Sequence, residues 1–194
     1  MSEFFIEIVF LTCEYLKEPQ GIDNAAPRFA WKYKSNMENG KQTEYKISVW
    51  AENGCMWDSG WVLSAKQHNI VYGGKKLQPK TKYFWKVFSK SNLTEEIAES
   101  ETAAFETGFL NSKWQGSWIG SPDFNNNTPY FKKRFFLKDN VKKARVYICG
   151  LGYYELLING EKVGDSILDP AWTNYDKKAL YASYTADRLL NKGE

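Results

Sequence analysis

The sequence predicts an all-β protein that contains two successive β-sandwich domains. Its 194 residues include 8 Trp, 12 Tyr and 12 Phe, and long helical stretches rich in Ala, Leu, Glu and Lys are scarce. Aromatic and β-branched side chains suit the pleated, half-buried surface of a sheet. Because a domain typically holds roughly 100 to 150 residues, a chain of this length has room for two domains.

Residues 1–108 are predicted to form the first sandwich, because short strands recur there at regular spacing with turn clusters between them. One strand, Arg28–Tyr33, follows a proline and centres on Trp31. The clearest strand is Glu44–Ala51, whose polar and apolar residues alternate as in a half-buried strand. Its two faces would carry Tyr45, Ile47 and Val49 on one side and Lys46, Ser48 and Trp50 on the other.

The segment Leu77–Val87, LQPKTKYFWKV, resembles the fibronectin type III sequence around the tyrosine corner. In that arrangement a Tyr near the start of the penultimate strand returns its hydroxyl group to the preceding turn. Tyr83 is predicted to be this residue, and Trp31 and Trp85 are predicted to lie in the core, one from each sheet. With Ala103–Thr107 as its last strand, the first domain is predicted to be a fibronectin type III or immunoglobulin-like sandwich.

An ordered linker is predicted at residues 109–128, because this stretch contains Trp114 and Trp118 without clean periodicity. Flexible linkers are rich in Gly and Ser and lack Trp. The last part of the linker, Asp123–Thr128, is rich in Asn and is expected to be an exposed loop.

Residues 129–194 are predicted to form part of a second β-sandwich. Asn159-Gly160 offers the two positive-φ positions of a type I′ hairpin turn, between the β-prone run Tyr154–Ile158 and a return run that ends at Val163. Further elements are expected as strands at Tyr130–Leu137, Lys143–Cys149 and Leu180–Tyr184 and as a short helical turn at Ala186–Leu190.

The distribution of charge and hydrophobicity argues against two classes of partner. The chain has 26 Lys and Arg against 23 Asp and Glu, and its basic residues are scattered, whereas nucleic-acid binding needs concentrated positive charge. No run approaches the roughly 20 apolar residues of a membrane span. The apolar run Phe4–Leu11 contains Glu7 and follows no basic region, so no signal peptide is evident. A periplasmic and a cytoplasmic location both fit.

Neither the cysteines nor the lone histidine indicates a catalytic centre. Cys13, Cys55 and Cys149 are widely spaced and include no Cys-x-x-Cys pair, so reduced, buried thiols are expected in place of disulfides or a zinc site. His68 has no Ser or Cys nucleophile in a recognisable context. The Gly150-Leu151-Gly152 sequence is too short for a phosphate-binding loop. No catalytic residue and no cofactor is therefore predicted.

Several motifs along the chain are unusually specific. They include LGYYELLINGEKVGD at Leu151–Asp165 and LDPAWTNYDK at Leu168–Lys177. Two others are CEYLKEPQGIDNAAPRFAWK at Cys13–Lys32 and FETGFL at Phe105–Leu110, followed by Trp118-Ile119-Gly120. Together they resemble the N-terminal accessory region of bacterial α-L-rhamnosidases of the glycoside hydrolase family 78 type. The resemblance covers nearly all of the chain.

This resemblance implies a second domain that is jelly-roll-like and truncated, because in the family the domain continues beyond position 194. It also implies that the acidic catalytic residues lie in an (α/α)6 barrel further along the polypeptide. The chain is then expected to be a non-catalytic fragment that supports this barrel, in an enzyme that hydrolyses terminal α-L-rhamnose with inversion and without a catalytic metal. The alternative is a free-standing β-sandwich module for adhesion or interaction, and enzymatic activity stays an open question.

Four side chains that could provide oxygen ligands lie close together in the sequence of the second domain. Asp165, Asp169, Asn174 and Asp176 fall within twelve positions, and hard oxygen ligands of this type can hold calcium. Their spacing lacks the regular Asp-x-Asp-x-Asp-Gly order of a dedicated calcium loop. The alternative is that these side chains cap the loop and form its turns, and no residue is assigned as a metal ligand.

Trp172, Asn174, Tyr175 and Asp176 are the candidate contacts for carbohydrate. An aromatic face can cover the apolar C–H side of a pyranose, while neighbouring Asn and Asp side chains bond its hydroxyl groups. The resemblance implies a rhamnose-containing carbohydrate as the ligand. The alternative is that Trp172 packs against the core of its own domain or against the barrel.

Overall fold

The computed structural model describes residues 5–122, 128–190 and 192–193. The chain divides into two compact units, unit 1 at Met1–Lys113 and unit 2 at Trp114–Glu194. Regular structure in the described ranges is entirely strand, apart from one 3-10 turn at Asp187–Leu189, which confirms the all-β class. None of the described residues belongs to a helix long and apolar enough to cross a membrane.

Unit 1 is a sandwich of two antiparallel sheets. Its strands are β1 (Ile6–Cys13), β2 (Arg28–Ser35), β3 (Gln42–Ala51), β4 (Gly54–Asp58), β5 (Val62–Leu63), β6 (Ile70–Val71), β7 (Lys82–Ser91), β8 (Ala98–Glu99) and β9 (Ala103–Glu106). The smaller sheet has the order β1-β2-β6. In the larger sheet the order is β4-β3-β7-β8, with β5 also paired to β3 and β9 to β7.

The core of unit 1 follows from the alternation of residues along β3 and β7. Every second residue is buried from Tyr45 to Val49 on β3, which is the predicted inward set Tyr45, Ile47 and Val49, and from Tyr83 to Ser89 on β7. Trp85 on β7 is 0% exposed and Trp31 on β2 is 3% exposed, so the two tryptophans lie in the core and come from different sheets, as predicted. Burial of large aromatic side chains supplies most of the stabilising free energy of such a sandwich.

The tyrosine corner is present at the predicted residue. The Tyr83 hydroxyl oxygen accepts a hydrogen bond of 2.7 Å from the main-chain N–H of Gln78. The Thr107 hydroxyl donates to the carbonyl oxygen of Gln78 at 2.7 Å and accepts from the N–H of Thr81 at 3.0 Å. The turn before β7 is therefore bonded both to the start of that strand and to the residue that follows β9.

A buried glutamine, which was not foreseen from the sequence, also joins the two sheets. The indole N–H of Trp31 donates to Gln42 Oε1 at 2.9 Å. Gln42 Nε2 donates to the carbonyl oxygens of Ser64 and Lys66, at 3.1 Å each. The side chain of this 2%-exposed residue thus has both its donors and its acceptor engaged, as a buried amide requires.

Unit 2 has shorter strands. They are β10 (Arg145–Ile148), β11 (Leu157–Ile158), β12 (Glu161–Lys162) and β13 (Ala182–Thr185), and β10 pairs with β13 while β11 pairs with β12. Asn159 and Gly160 have φ angles of 51° and 83°, which confirms the predicted turn with two positive-φ residues. The helical turn expected at Ala186–Leu190 is the 3-10 turn.

The strand expected at Tyr130–Leu137 does not form, so this prediction was wrong. Tyr130 is 80% exposed and Phe136 is 72% exposed, and no described strand pairs with the segment. A β-prone run needs a hydrogen-bonded neighbour to become a strand, and local preference alone cannot supply one. Of the loop expected at Asp123–Thr128, only Thr128 lies within the described residues.

The expectation of uniformly buried thiols also needs correction. Cys13 is buried, Cys149 is half-buried, and Cys55 is exposed on the edge strand β4. All three are free thiols. Burial raises the pKa of the Cys13 thiol, and the nearby Glu14 charge acts in the same direction; burial also raises the pKa of Cys149. These two thiols are therefore poor nucleophiles at neutral pH.

The tyrosine corner at Tyr83 predicts that loss of its hydroxyl group destabilises unit 1. Replacing Tyr83 with Phe removes the acceptor of the part-buried hydrogen bond from the Gln78 N–H, so the free energy of unfolding of unit 1 should fall by about 1 kcal/mol. Urea denaturation followed by tryptophan fluorescence measures this change. Tyr33→Phe is the matched control, because among the described residues the buried Tyr33 hydroxyl has no hydrogen-bond partner. Equal effects of the two substitutions would contradict a stabilising role for the corner.

Candidate functional site

The four residues proposed to contact carbohydrate lie together on one loop between β12 and β13. Together with Thr173 they line an open groove of about 580 Å³. Trp172 is 77% exposed, Asn174 and Asp176 are exposed, and Tyr175 is half-buried. The groove therefore presents one large aromatic face beside an amide and a carboxylate.

Residues 172–178, which we call the groove loop, are shaped by hydrogen bonds among themselves. Asn174 Oδ1 accepts the N–H of Asp176 at 3.1 Å, and the Asn174 carbonyl oxygen accepts the N–H groups of Lys177 and Lys178 at 3.0 and 2.9 Å. The Thr173 hydroxyl donates to the carbonyl oxygen of Lys178. Asn174 thus acts as a turn-forming residue, as in the loop-capping alternative.

The acidic residues of this region do not form a recognisable metal centre. Asp169 uses Oδ2 to accept the hydroxyl of Tyr184, and Asn174 uses its side-chain oxygen within the turn. Within the ranges that the structure describes, no group of three or more His, Cys, Asp or Glu residues could hold a metal ion. The contacts of Asp169 and Asn174 are those of the loop-capping alternative.

Trp172 does not pack into the core of its own unit. Its side chain is 77% exposed, and Ile167 and Leu168 on the same loop are 86% and 63% exposed. Exposed patches of large apolar side chains mark ligand-binding grooves and protein–protein contact surfaces. A sugar ring and a protein surface are the two kinds of cover that the sequence suggested for Trp172.

A pair of tyrosines beside this loop was not foreseen from the sequence. The hydroxyl of Tyr184, on β13, donates to Asp169 Oδ2 and lies 3.1 Å from the hydroxyl of Tyr154. Burial raises the pKa of Tyr184 well above its usual range, and the hydrogen bond to Asp169 acts in the same direction. Burial also raises the pKa of Tyr154. Both phenols are therefore protonated at neutral pH and can serve as the donors of these two hydrogen bonds.

Neither this groove nor the groove of unit 1 has the carboxyl pair that glycoside hydrolysis needs. The groove loop contributes one carboxylate, Asp176. A second groove of about 360 Å³, in unit 1, is lined by Tyr45 and Trp57 and by residues that include Lys66 but no Asp or Glu. Glycosidases place two carboxyl groups across the scissile bond. His68, also considered, lies exposed in unit 1, outside both grooves.

Two family models match the chain. Residues 8–111 match the Rha78A-like, N-terminal immunoglobulin domain, and residues 139–194 match the alpha-L-rhamnosidase N-terminal domain. The first match lies within unit 1 and the second within unit 2. The immunoglobulin-like fold of the first domain is thereby confirmed.

The curated relatives of the chain are named alpha-L-rhamnosidase. An alpha-L-rhamnosidase of Formosa agariphila is 35% identical over an alignment of 208 residues. The alignment covers 91% of this chain and 22% of that protein. An alpha-L-rhamnosidase of Alteromonas sp. (strain LOR) is 31% identical, over 90% of this chain and 21% of its own length. The chain thus spans about a fifth of the length of these relatives.

Solved structures agree with these matches. The alpha-L-rhamnosidase from Dictyoglumus thermophilum superimposes with a TM-score of 0.87 at 36% identity, over 96% of this chain and 24% of that one. The Streptomyces avermitilis alpha-L-rhamnosidase, at 21% identity and a TM-score of 0.58, covers 97% of this chain and 21% of its own and shares the fold. The chain therefore belongs to the α-L-rhamnosidase family and corresponds to its N-terminal region, an immunoglobulin domain followed by the alpha-L-rhamnosidase N-terminal domain.

Proposed function

We propose that this chain is a non-catalytic part of an enzyme that releases terminal α-L-rhamnose from glycans or glycosides. The observation that carries the proposal is the pair of family matches. They relate unit 1 to the N-terminal immunoglobulin domain and unit 2 to the N-terminal domain of rhamnosidases. The chain also spans only about a fifth of the relatives that bear this name. The absence of a carboxyl pair from both described grooves is in keeping with this role.

The partner that we propose is the catalytic (α/α)6 barrel of the same polypeptide. Unit 2 exposes many large apolar side chains, a pattern that marks protein–protein contact surfaces. The most exposed of them are Tyr130 at 80%, Phe136 at 72%, Ile119 at 71%, Ile167 at 86% and Trp172 at 77%. Further residues of the same polypeptide would bury these groups, and the chain would then support the barrel.

Carbohydrate contact at the groove loop is a second role that the geometry favours. Trp172 offers a flat apolar face, and the exposed amide of Asn174 and carboxylate of Asp176 lie within the same groove. Asn174 keeps Nδ2 as a donor, because its turn contact uses Oδ1. An aromatic face flanked by hydrogen-bonding groups suits a pyranose such as L-rhamnose.

The supporting role and a free-standing module can be separated by hydrophobic dye binding. The 194-residue chain should enhance the fluorescence of anilinonaphthalene sulfonate, because the apolar side chains of unit 2 are exposed. A longer form that includes the following coding sequence should lose most of this signal. A reading frame that ends at Glu194 in the source genome would instead support the free-standing module.

Catalysis should be absent from these residues. The purified 194-residue chain is expected to release no 4-nitrophenol from 4-nitrophenyl α-L-rhamnoside above the rate of a heat-denatured sample, since neither groove holds two carboxyl groups. The longer form that contains the barrel should hydrolyse the same substrate and serves as the positive control. Turnover that copurifies with the short chain would overturn the non-catalytic assignment.

The proposed sugar contact predicts an effect of Trp172 that another exposed tryptophan does not share. Titration with L-rhamnose should shift the indole N–H resonance of Trp172, and Trp172→Ala should weaken binding by about tenfold or more, because stacking on the ring is lost. Trp118→Ala is the matched control, since Trp118 is 67% exposed in the same unit. Unchanged spectra up to millimolar L-rhamnose would reject the contact.

A further inference from the structure

Three side chains in unit 2 form a hydrogen-bonded chain that reaches the groove loop. Tyr184 has one hydroxyl hydrogen, which it donates to Asp169 Oδ2. The Tyr154 hydroxyl, 3.1 Å away, must therefore donate to the Tyr184 oxygen. The main chain adds a second link, because the N–H of Tyr154 donates to the Asp169 carbonyl oxygen at 3.2 Å. Asp169 is thus held by both its side chain and its backbone.

The ring of Tyr184 is itself fixed in place. Gly164 lies beside it with a φ of 80°, and a Cβ atom built there would fall 2.6 Å from Tyr184 Cε1. Only glycine avoids this clash and adopts that φ without strain. The strand β13 supplies the other constraint, because Tyr184 is paired with Val146 of β10. The donor hydroxyl is therefore directed at Asp169 by the sheet and by the bare backbone of Gly164.

Asp169 lies three positions before Trp172. The hydrogen bonds that hold Asp169 therefore fix the position from which the chain enters the groove loop. The next residue, Pro170, is buried, and the following residues become exposed at once. At the far end the Thr173 hydroxyl bonds the carbonyl oxygen of Lys178 and closes the loop on itself. Trp172 thus lies between Asp169, which is held by hydrogen bonds to Tyr184 and Tyr154, and a turn that is closed by the Thr173–Lys178 hydrogen bond. Its own side chain is 77% exposed.

We propose that Tyr184 and Asp169 are positioning residues, which hold the groove loop so that the Trp172 ring is presented to a sugar. The inference rests on the proposed carbohydrate contact at Trp172. Neither Tyr184 nor Asp169 lines the groove, so they act through the loop and not on the ligand. A loop that is ordered before binding loses less conformational entropy on binding, which raises affinity.

The test uses Tyr184→Phe in the 194-residue chain, which removes one hydroxyl group and keeps the ring. The indole N–H resonance of Trp172 should broaden or shift without ligand, and affinity for L-rhamnose should fall by about fivefold to tenfold. Amide protection in β10 and β13 should be retained, which shows that unit 2 is still folded. Tyr153→Phe is the matched control, since Tyr153 precedes Tyr154 in the same unit and is 61% exposed.

A second pair of variants separates positioning from general destabilisation. Asp169→Asn keeps a side-chain oxygen that can accept the Tyr184 hydroxyl, whereas Asp169→Leu has no acceptor. The Asn variant should match the unsubstituted chain in the Trp172 resonance and in rhamnose affinity, and the Leu variant should match Tyr184→Phe. If the Leu variant fails to fold, the comparison of Asp169→Asn with Tyr184→Phe decides the question.

The two proposals fail in different ways. If the unsubstituted chain binds no L-rhamnose, the sugar contact is rejected, and the Trp172 resonance alone then decides whether Tyr184 positions the loop. If Tyr184→Phe leaves that resonance unchanged, the positioning role is overturned whatever the sugar does. Weaker binding in Tyr184→Phe with an unchanged resonance would also overturn it, because the effect would not act through the loop.

Discussion

Phe29 is the side chain through which the two sheets of unit 1 are packed together. It is completely buried on β2 of the smaller sheet, and its ring centroid lies 4.5 Å from that of Trp85 and 5.8 Å from that of Phe105, both on the larger sheet. Trp57 and Tyr72 complete the contacts at 6.2 and 6.5 Å. Because aromatic pairs favour tilted and edge-on geometries, this cluster fixes both the spacing and the alignment of the sheets. The Gln42 bridge adds a polar link between the sheets and to the loop at Ser64 and Lys66, and the tyrosine corner holds the turn before β7.

Unit 2 is organised on a different physical basis. Its described strands are two to four residues long, so ladder hydrogen bonds and packing on a sheet face can order little of the chain. Polar contacts do more of this work, namely the Tyr154, Tyr184 and Asp169 chain and the turn at Asn174. A unit held in this way can support an exposed loop such as the one with Trp172, and its apolar surface suits contact with a larger protein.

The predictions succeeded where one local rule was sufficient. The alternation in β3, the positive-φ pair at Asn159-Gly160 and the corner at Tyr83 each depend on residues near in sequence, and each is found as expected. The strand expected at Tyr130–Leu137 failed because a strand needs a partner, and partnership is not encoded in the run itself. The roles of Gln42 and Tyr184 were missed because their partners lie 11 to 24 and 15 to 30 residues away.

The sequence by itself determined the all-β class, the family and the loop that carries Trp172, Asn174, Tyr175 and Asp176, because period, turn chemistry and motifs are properties of neighbouring residues. Tertiary structure decided that Trp172 stands in water and that these side chains share one groove. It also placed Tyr184 against Asp169, far along the chain. Exposure and long-range hydrogen bonds depend on which distant segments fold onto one another, and only the folded chain specifies that.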